Sequence, residues 1–436
     1  MQHCRAVIKV AFIGAGSVEF TRNVVTDLCS YPEFAADLHV ALHDISPQRL
    51  AFAEALTLRI AAQAGARVVV TADASRAPVL DGAAYVINEV QVGGYDATLA
   101  DFEIPARYGV RQTIGDTLGI GGISRGLRTI PVVTAIARDM LRYCPDAYLL
   151  NYSNPMAMLP WAVYAGTGFA NVFGLCHSVR DTHAFLAGLV GADPAKVQFV
   201  TAGFNHQAFV LRFEQDGQSL YPRLANVIED SPELQRRVRV EIYRRFGYFP
   251  TESSEHSAEY VPWFMRHGDQ VEQYRIFVGD YLTRSQENLD ELESLQAVLH
   301  SGGDLDIDPT SELASEFIHS VETGTERQIY ANVRNGSLIS SLPDDCCVEV
   351  PCDLRKGAAT PRPVGALPPQ LAALNRTFLN VVELTVRAAL EESREHVYQA
   401  ALLDPNTAAT LTVGQTIAMV DELLAAHAPL LPDGLK

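Results

Sequence analysis

The sequence predicts an α/β protein in which an N-terminal doubly wound, Rossmann-like parallel sheet precedes a C-terminal α+β domain. Short apolar runs alternate with amphipathic helical stretches through the first 199 residues, a pattern typical of a parallel sheet covered by helices. This alternation is lost beyond about residue 200. A chain of 436 residues is also too long for one hydrophobic core. We therefore expect two domains, residues 1–199 and residues 200–436.

The first apolar run, residues 7–13, contains a single charged residue, Lys9, and is otherwise as expected for a central strand that is buried on both faces. It leads into Gly14, Gly16 and Ser17, which a helical stretch follows. Glycines between a strand and a helix let the backbone approach a pyrophosphate, whose charge the helix N-terminus favours. However, Glu19 stands where the third glycine of a G-x-G-x-x-G fingerprint would be. The glycine turn alone is therefore a weak indication of dinucleotide binding.

Asp44 strengthens that indication, because it follows the second apolar run, residues 38–42. An acidic residue at this place can accept hydrogen bonds from the ribose hydroxyls of NAD, and it disfavours the 2′-phosphorylated cofactor. The alternative role is a helix N-cap. Since Ser46 and Pro47 already provide a helix start, we favour the cofactor role.

Further strands and helices continue the alternation. The stretch 116–122 is so rich in glycine that we expect it outside the core, as a linker or as a loop against a ligand, and its position favours the loop. The predicted helices are residues 46–64 and 124–143, and the predicted strands are residues 67–72, 84–90, 147–151 and the run that ends before Cys176.

Polar side chains follow several of these strands. Asn154 lies in an N-Y-S-N-P turn after the fifth strand, and Cys176 and His177 follow the sixth. His206 comes after another short apolar run, within G-F-N-H-Q. Taken alone, a cysteine and two histidines are more often packing residues than ligands. Ligands of open parallel sheets bind at the carboxyl ends of the strands, so these four residues are candidates for one site.

The C-terminal half offers one stretch of unusual composition. Residues 248–263 combine three glutamates, a histidine and two tyrosines, although a solvated helix with a serine N-cap is the simpler interpretation. Elsewhere, Asn335-Gly336 predicts a hairpin within residues 328–339. Residues 346–350 are predicted to be a buried strand, and residues 370–403 and 413–426 to be amphipathic helices.

Composition excludes several classes of partner. A net charge of −18 disfavours nucleic acid and anionic membranes, whose phosphates would be repelled. The longest uncharged run, residues 147–176, is broken twice and is not expected to span a bilayer, and no targeting segment is visible. An odd number of cysteines without C-x-x-C pairs is typical of free thiols in a reducing cytoplasm. The seven cysteines are Cys4, Cys29, Cys144, Cys176, Cys346, Cys347 and Cys352.

Taken together, the ordered motifs resemble glycoside hydrolase family 4, whose members use NAD and a divalent metal. The motifs are F-I-G-A-G-S, G-G-Y-D, D-T-L-G-I-G-G-I, L-R-T-I-P, N-Y-S-N-P-M-A-M, G-L-C-H-S-V, G-F-N-H, T-E-S-S-E-H-S-A-E-Y, N-V-R-N-G and C-C-V-E-V, from one end of the chain nearly to the other. The resemblance implies a dehydrogenase-like NAD-binding domain followed by a domain for substrate binding and oligomerisation. It also implies that a glycine turn lacking the third glycine still binds NAD.

The resemblance implies a role for each candidate residue. Cys176 and His206 would bind the metal, Asn154 would contact the sugar, Tyr260 would act as base, and His177 is the candidate acid. Gly14, Gly16, Ser17 and Asp44 would hold NAD. A thiolate and an imidazole suit zinc or iron by softness, whereas the resemblance implies Mn²⁺, which we adopt.

The implied reaction is hydrolysis of unphosphorylated α-glycosides, most closely α-galactosides of the melibiose type. It would proceed by oxidation at C3, removal of the C2 proton, loss of the glycosidic oxygen, addition of water and reduction at C3. We expect a cation to lower the pKa of Tyr260 for this purpose. A cytoplasmic homodimer or homotetramer is expected.

Other functions remain open at this point. Within the family, an α-glucosidase or an α-uronidase is the alternative. Outside it, an NAD-dependent hydroxy-acid dehydrogenase of the malate type shares the fold, but its arginine, histidine and aspartate set for a carboxylate substrate is not apparent. A non-catalytic NAD-binding sensor is the third alternative, because a fold does not prove activity.

Overall fold

The computed structural model describes residues 7–34 and 37–436, so Cys4 lies outside the described residues. Within them, 13 strands form one mixed sheet, in the order β10-β8-β7-β12-β11-β6-β5-β4-β1-β2-β3, with β13 paired to β12 and β9 to β8. The strands are numbered along the chain, with their bounds given below. The sheet therefore runs across the boundary predicted near residue 200.

The N-terminal half of the sheet is parallel and confirms the doubly wound prediction. Strands β1 to β6 pair only in parallel with one another, and those in the middle are almost wholly buried, as their continuous apolar runs require. The elements are β1 (Ile8–Ile13), α1 (Phe20–Ser30), β2 (Leu38–His43), α2 (Pro47–Ala64), β3 (Val68–Ala72), α3 (Arg76–Leu80), β4 (Tyr85–Asn88), α4 (Gly94–Arg107), α5 (Gly119–Tyr143), β5 (Tyr148–Asn151), α6 (Met158–Thr167), β6 (Val172–Leu175) and α7 (Ser178–Leu189).

The C-terminal half is α+β, as predicted, and its strands pair antiparallel. Its strand β11 pairs with β6, which joins the two halves edge to edge. The elements are β7 (Gln198–Phe204), β8 (Gln207–Gln215), β9 (Gln218–Ser219), α8 (Tyr221–Glu229), α9 (Pro232–Gln235), α10 (Val238–Phe246), β10 (Phe249–Pro250), α11 (Ser254–Glu259), α12 (Gly268–Gln273), α13 (Asp280–Ser301), α14 (Leu313–Thr323), β11 (Arg327–Arg334), β12 (Cys347–Arg355), β13 (Ala358–Pro361), α15 (Pro369–Glu391), α16 (Arg394–Leu403), α17 (Pro405–Thr410) and α18 (Val413–His427).

The start and end of α2 follow the sequence signals. Ser46 caps the helix by accepting the N–H of Arg49, and Pro47 occupies the first turn. Gly65 ends the helix in the left-handed region at φ 67°, where glycine has no steric cost. None of the helices in the described ranges has both the length and the apolar character that a bilayer span requires.

The glycine-rich stretch 116–122 is not outside the core, so that expectation is wrong. Its residues are buried, and the last four form the first turn of α5. A Cβ on Gly121 would lie 2.2 Å from the carbonyl oxygen of Gly115, and one on Gly122 would lie 2.5 Å from the carbonyl carbon of Thr117. The glycines are present because backbone packs directly on backbone here, not because the segment is loose.

Two predictions about the C-terminal half are corrected. Asn335-Gly336 is not a tight turn between paired strands, since the partner of β11 begins only at Cys347. The intervening loop is closed by Asn335, whose Nδ2 donates to the carbonyl oxygens of Ile339, Leu342 and Pro343. The helix predicted over residues 370–403 is divided at Glu392, which adopts a left-handed conformation between α15 and α16. The buried strand at residues 346–350 is confirmed within β12.

Candidate active site

Three segments bring polar side chains to the carboxyl edge of the parallel strands. Asn154 follows β5, Cys176 follows β6, and His206 lies in the turn between β7 and β8. Strands β11 and β12 lie between β6 and β7 in the sheet. The cysteine and the histidine therefore come from two strands that are not neighbours in the sheet. A groove of about 600 Å³ reaches Cys176 between α7, α14 and the strands β7 and β11.

The thiol and the imidazole are direct neighbours. His206 Nε2 lies 3.2 Å from Cys176 Sγ. A third group joins them: Glu252 Oε1 lies 4.0 Å from the same sulfur and 3.9 Å from His206 Nε2. One ligand atom from each residue lies within 4.8 Å of the others. A thiolate, an imidazole and a carboxylate at this spacing fit a divalent cation.

Burial controls the charge of this cluster. It raises the pKa of the Cys176 thiol, and the Glu252 and Glu349 carboxylates raise it further. Burial also raises the pKa of Glu252, but His256 and His206 outweigh that effect and leave the value below that of an ordinary glutamate. The thiol is therefore neutral until a cation arrives, and cation binding must release its proton.

Tyr260 lies beside the cluster, at the end of α11. It is fully buried, and its hydroxyl is 2.6 Å from His256 Nδ1, while His256 Nε2 is 3.6 Å from Glu252 Oε2. Burial raises the pKa of Tyr260 well above its ordinary value, and Glu259, Glu252 and Asp116 raise it further. The surrounding protein atoms therefore raise the pKa of Tyr260, whereas from the sequence we expected it to be lowered. Lowering it requires the positive charge of a bound cation.

Asn154 contacts a carboxylate that sequence reasoning did not single out. Its Nδ2 donates to Asp116 Oδ2 at 2.9 Å, and Asp116 Oδ1 accepts the Thr117 hydroxyl at 2.7 Å. Arg125 lies 4.0 Å from the same carboxylate, and both side chains are buried. The Oδ1 of Asn154 is buried and accepts no hydrogen bond from any described residue. A free acceptor at this point fits a sugar hydroxyl.

His177 belongs to a separate cluster. Its Nε2 lies 2.8 Å from Glu312 Oε2, which also accepts the Tyr152 hydroxyl at 3.0 Å. In the described part of the chain, no hydrogen bond or ion pair joins His177 to the cysteine, to His206 or to Tyr260. Burial raises the pKa of Glu312, but the hydrogen bond and the charge of His177 outweigh it and leave the pKa low.

The glycine turn fits a dinucleotide. Gly14 has φ 84°, and a Cβ there would lie 3.0 Å from the backbone of Glu89. A Cβ on Gly16 would lie 2.5 Å from the side chain of Arg49 and 2.8 Å from an oxygen of Asp44. Neither position can carry a side chain, and a turn without side chains is one whose backbone a pyrophosphate can approach closely. Ser17 Oγ accepts the first N–H of the helix, that of Phe20.

Asp44 shapes that turn from the second strand. Its Oδ2 accepts the N–H of Gly16 at 3.0 Å, and its Oδ1 accepts the N–H of Ser46 at 2.8 Å. Ser46, not Asp44, caps α2, in agreement with the sequence argument. Each carboxylate oxygen can accept a second hydrogen bond, so Asp44 can hold the turn and a ribose at once.

Sequence reasoning missed Glu252, Asp116 and Glu312 as site residues. The available signals were the glutamate-rich segment for Glu252 and the position of the D-T-L-G loop for Asp116. No local pattern marks Glu312, which precedes α14 and reaches the site only through the fold.

The chain matches two family models. The model described as family 4 glycosyl hydrolase covers residues 9–192, and that of the family 4 glycosyl hydrolase C-terminal domain covers residues 201–407. The alpha-galactosidase of Bacillus subtilis is 40% identical over 98% of this chain and 99% of its own length. The alpha-galactosidase of Rhizobium meliloti is 34% identical over 98% of this chain and 90% of its own length.

A solved structure shares the fold along nearly all of the chain. It is a 6-phospho-alpha-glucosidase from gut microorganisms in complex with NAD and Mn²⁺, and it superimposes with a TM-score of 0.82 at 18% identity. The match covers 98% of this chain and 99% of that one.

We predict that Glu252 contributes to cation binding. Replacing Glu252 with Gln removes the charged oxygen next to the thiol and imidazole, so the dissociation constant for Mn²⁺ should rise by about tenfold or more. Titration of the purified protein with Mn²⁺, followed by electron paramagnetic resonance, measures this constant. Glu255→Gln makes the same charge change three residues further on, in the first turn of α11, and should leave it unchanged. Equal constants for both variants and the wild type would exclude Glu252 as a ligand.

Proposed function

Because this chain belongs to the family 4 glycosyl hydrolases, we propose that it is an NAD- and Mn²⁺-dependent α-galactosidase acting on galactosides of the melibiose type. The observation that carries the proposal is the cluster of Cys176, His206 and Glu252 next to Tyr260, at the carboxyl edge of a dinucleotide-type sheet. The two alpha-galactosidases that share 40% and 34% of their residues with this chain support the choice of sugar.

The charges of the site favour a neutral substrate. Asp116 and Glu252 are buried next to the cluster, and burial raises the pKa of both carboxyls. Arg125 and hydrogen bonds from Thr117 and Asn154 outweigh burial at Asp116, and interactions with the neighbouring histidines and hydrogen bonds from Ser253 and Ser178 outweigh it at Glu252, so both pKa values stay low. The buried Arg125 is already engaged by Asp116 and by the hydroxyl of Tyr281. A uronate or a sugar phosphate would bring a further negative charge next to these two carboxylates, where Arg125 is already paired. An unphosphorylated hexose meets no such penalty.

The residues present fit both cofactors. Cys176, His206 and Glu252 would hold the cation, and Gly14, Gly16, Ser17 and Asp44 would hold NAD. When bound, NAD supplies oxidation of the sugar at C3, and Mn²⁺ supplies Lewis acidity at the neighbouring sugar oxygens. A hydroxy-acid dehydrogenase has no use for a buried thiol, imidazole and carboxylate cluster, so we do not favour that alternative.

Tyr260 is the proposed base that removes the C2 proton. Its hydroxyl can donate to His256 Nδ1, because burial lowers the pKa of His256 to about 4 and leaves the ring neutral. When the phenol passes its proton to His256, the resulting imidazolium lies 3.6 Å from Glu252. The phenolate can then accept the proton from the sugar. The tyrosine, histidine and glutamate thus form a short proton path next to the cation cluster.

His177 remains the candidate acid for the leaving oxygen. With Nε2 donating to Glu312, the doubly protonated ring would deliver the proton on Nδ1 to the leaving oxygen and would keep the proton on Nε2. The side chain is 26% exposed, which allows a leaving group to reach it. Asn154 and Asp116 would orient the sugar through its hydroxyls.

We also propose a cytoplasmic homodimer or homotetramer. The six cysteines among the described residues are all free thiols, which fits a reducing compartment. A reduced Cys176 is required for the cation site in any case.

The substrate proposal predicts selective turnover. Purified enzyme with NAD, Mn²⁺ and a thiol reductant should hydrolyse nitrophenyl α-galactoside, and should hydrolyse the α-glucoside and the α-galacturonide more slowly. Removal of NAD or chelation of the metal should abolish the reaction. Preferred hydrolysis of the glucoside or the uronide would reassign the substrate, while NADH accumulating with substrate and no release of nitrophenol would indicate a dehydrogenase.

The role of Tyr260 predicts a loss in kcat. Tyr260→Phe removes only the hydroxyl, so kcat should fall by about 10²–10⁴-fold while KM changes little. Tyr243→Phe, on the half-buried α10, makes the same chemical change away from the site and should keep full activity. A loss below about tenfold for Tyr260→Phe would be too small for a general base and would shift the role to Glu255, His256 or Glu259.

A further inference from the structure

One buried carboxylate lies behind the two loops that carry the cysteine and the histidine. Glu349 of β12 has no exposed surface. Its Oε1 accepts Nδ2 of Asn205 at 3.0 Å and Nδ2 of Asn332 at 3.3 Å. Asn205 directly precedes His206 in the turn between β7 and β8.

The second amide leads to the other loop. Asn332 of β11 also donates to the carbonyl oxygen of Gly174 at 3.4 Å, two residues before Cys176. A single oxygen of Glu349 is thus connected to both loops, through one asparagine on each side. The two loops are 30 residues apart in the chain and meet through non-local strand pairing.

We propose that Glu349 is a positioning residue of the cation site, which sets the spacing of Cys176 and His206 by holding Asn332 and Asn205. The inference rests on the proposed function, because it assigns a supporting residue to the same site. Glu349 is not itself in the cluster of ligand atoms formed by Cys176, His206 and Glu252 among the described residues. It acts through the two amides, and residues that orient ligands in this way tune metal affinity.

Strand pairing alone gives no reason for a carboxylate at this position. The backbone of Glu349 already pairs with Asn332 in β11 and with Gly203 in β7, and any residue can make those bonds. Burial of a carboxylate is costly, and an apolar side chain of similar size would fill the same space at lower cost. Beyond packing, this carboxylate supplies the acceptor that both amides share and a negative charge near Cys176, and Glu349→Gln removes the charge while keeping the acceptor.

The test measures Mn²⁺ binding by the full-length protein, with Mn²⁺ alone as the probe. Glu349→Ala removes the acceptor, so the dissociation constant should rise by about 10–100-fold. Glu349→Gln keeps an oxygen that can accept from both amides and should restore most of the affinity. Asp404→Ala is the matched control, since Asp404 is a buried carboxylate that caps α17 away from the cluster. It should lower the melting temperature without changing Mn²⁺ affinity.

Two results would overturn the inference. Wild-type Mn²⁺ affinity in Glu349→Ala, with only a lower melting temperature, would make the role purely structural. A Glu349→Gln variant as weak as Glu349→Ala would show that charge, not positioning, matters. If Glu349→Ala does not fold, Asn332→Ala carries the same test: weaker binding supports the inference and unchanged binding overturns it. Galactoside turnover is measured separately, so wild type that binds Mn²⁺ but cleaves no galactoside would refute the proposed function alone.

Discussion

The 3.2 Å contact between Cys176 and His206 is the interaction on which the rest of the site depends. Cys176 follows β6 and His206 follows β7, and β11 and β12 lie between these strands in the register that pairs Ala331 with Leu175 and Glu349 with Gly203. The antiparallel half of the sheet therefore extends the parallel half and also brings the histidine to the cysteine. Glu252 completes the cluster from the segment between β10 and α11.

The parallel half was predictable because its information is local. Continuous apolar runs, a glycine turn, Ser46-Pro47 and Gly65 each act within a few residues, and the structure confirms the elements they predict. The glycine-rich stretch 116–122 was misinterpreted because composition does not tell a loose loop from backbone packed on backbone. The distance from Gly121 to Gly115 becomes visible only in three dimensions.

The candidate site was less accessible to sequence reasoning. Cys176, His206, Tyr260 and Asn154 were assigned through motifs, and their roles remain proposals. Glu252 could not be separated from Glu259 in the sequence, since both lie in the same acidic segment. In the fold, Glu252 faces the thiol, whereas Glu259 accepts the backbone N–H groups of Thr113 and Gly115 at 2.8 and 2.9 Å. One glutamate faces the cluster, and the other holds a loop.

The central claim is that cleavage proceeds through removal of the C2 proton by Tyr260, a bond that direct displacement at C1 never breaks. The most direct measurement is the rate with α-galactoside deuterated at C2, combined with the deuterium content of galactose released in D₂O. The account predicts a primary isotope effect and deuterium from solvent at C2, because the proton passes along Tyr260 and His256. Equal rates for both substrates, with hydrogen retained at C2, would contradict it.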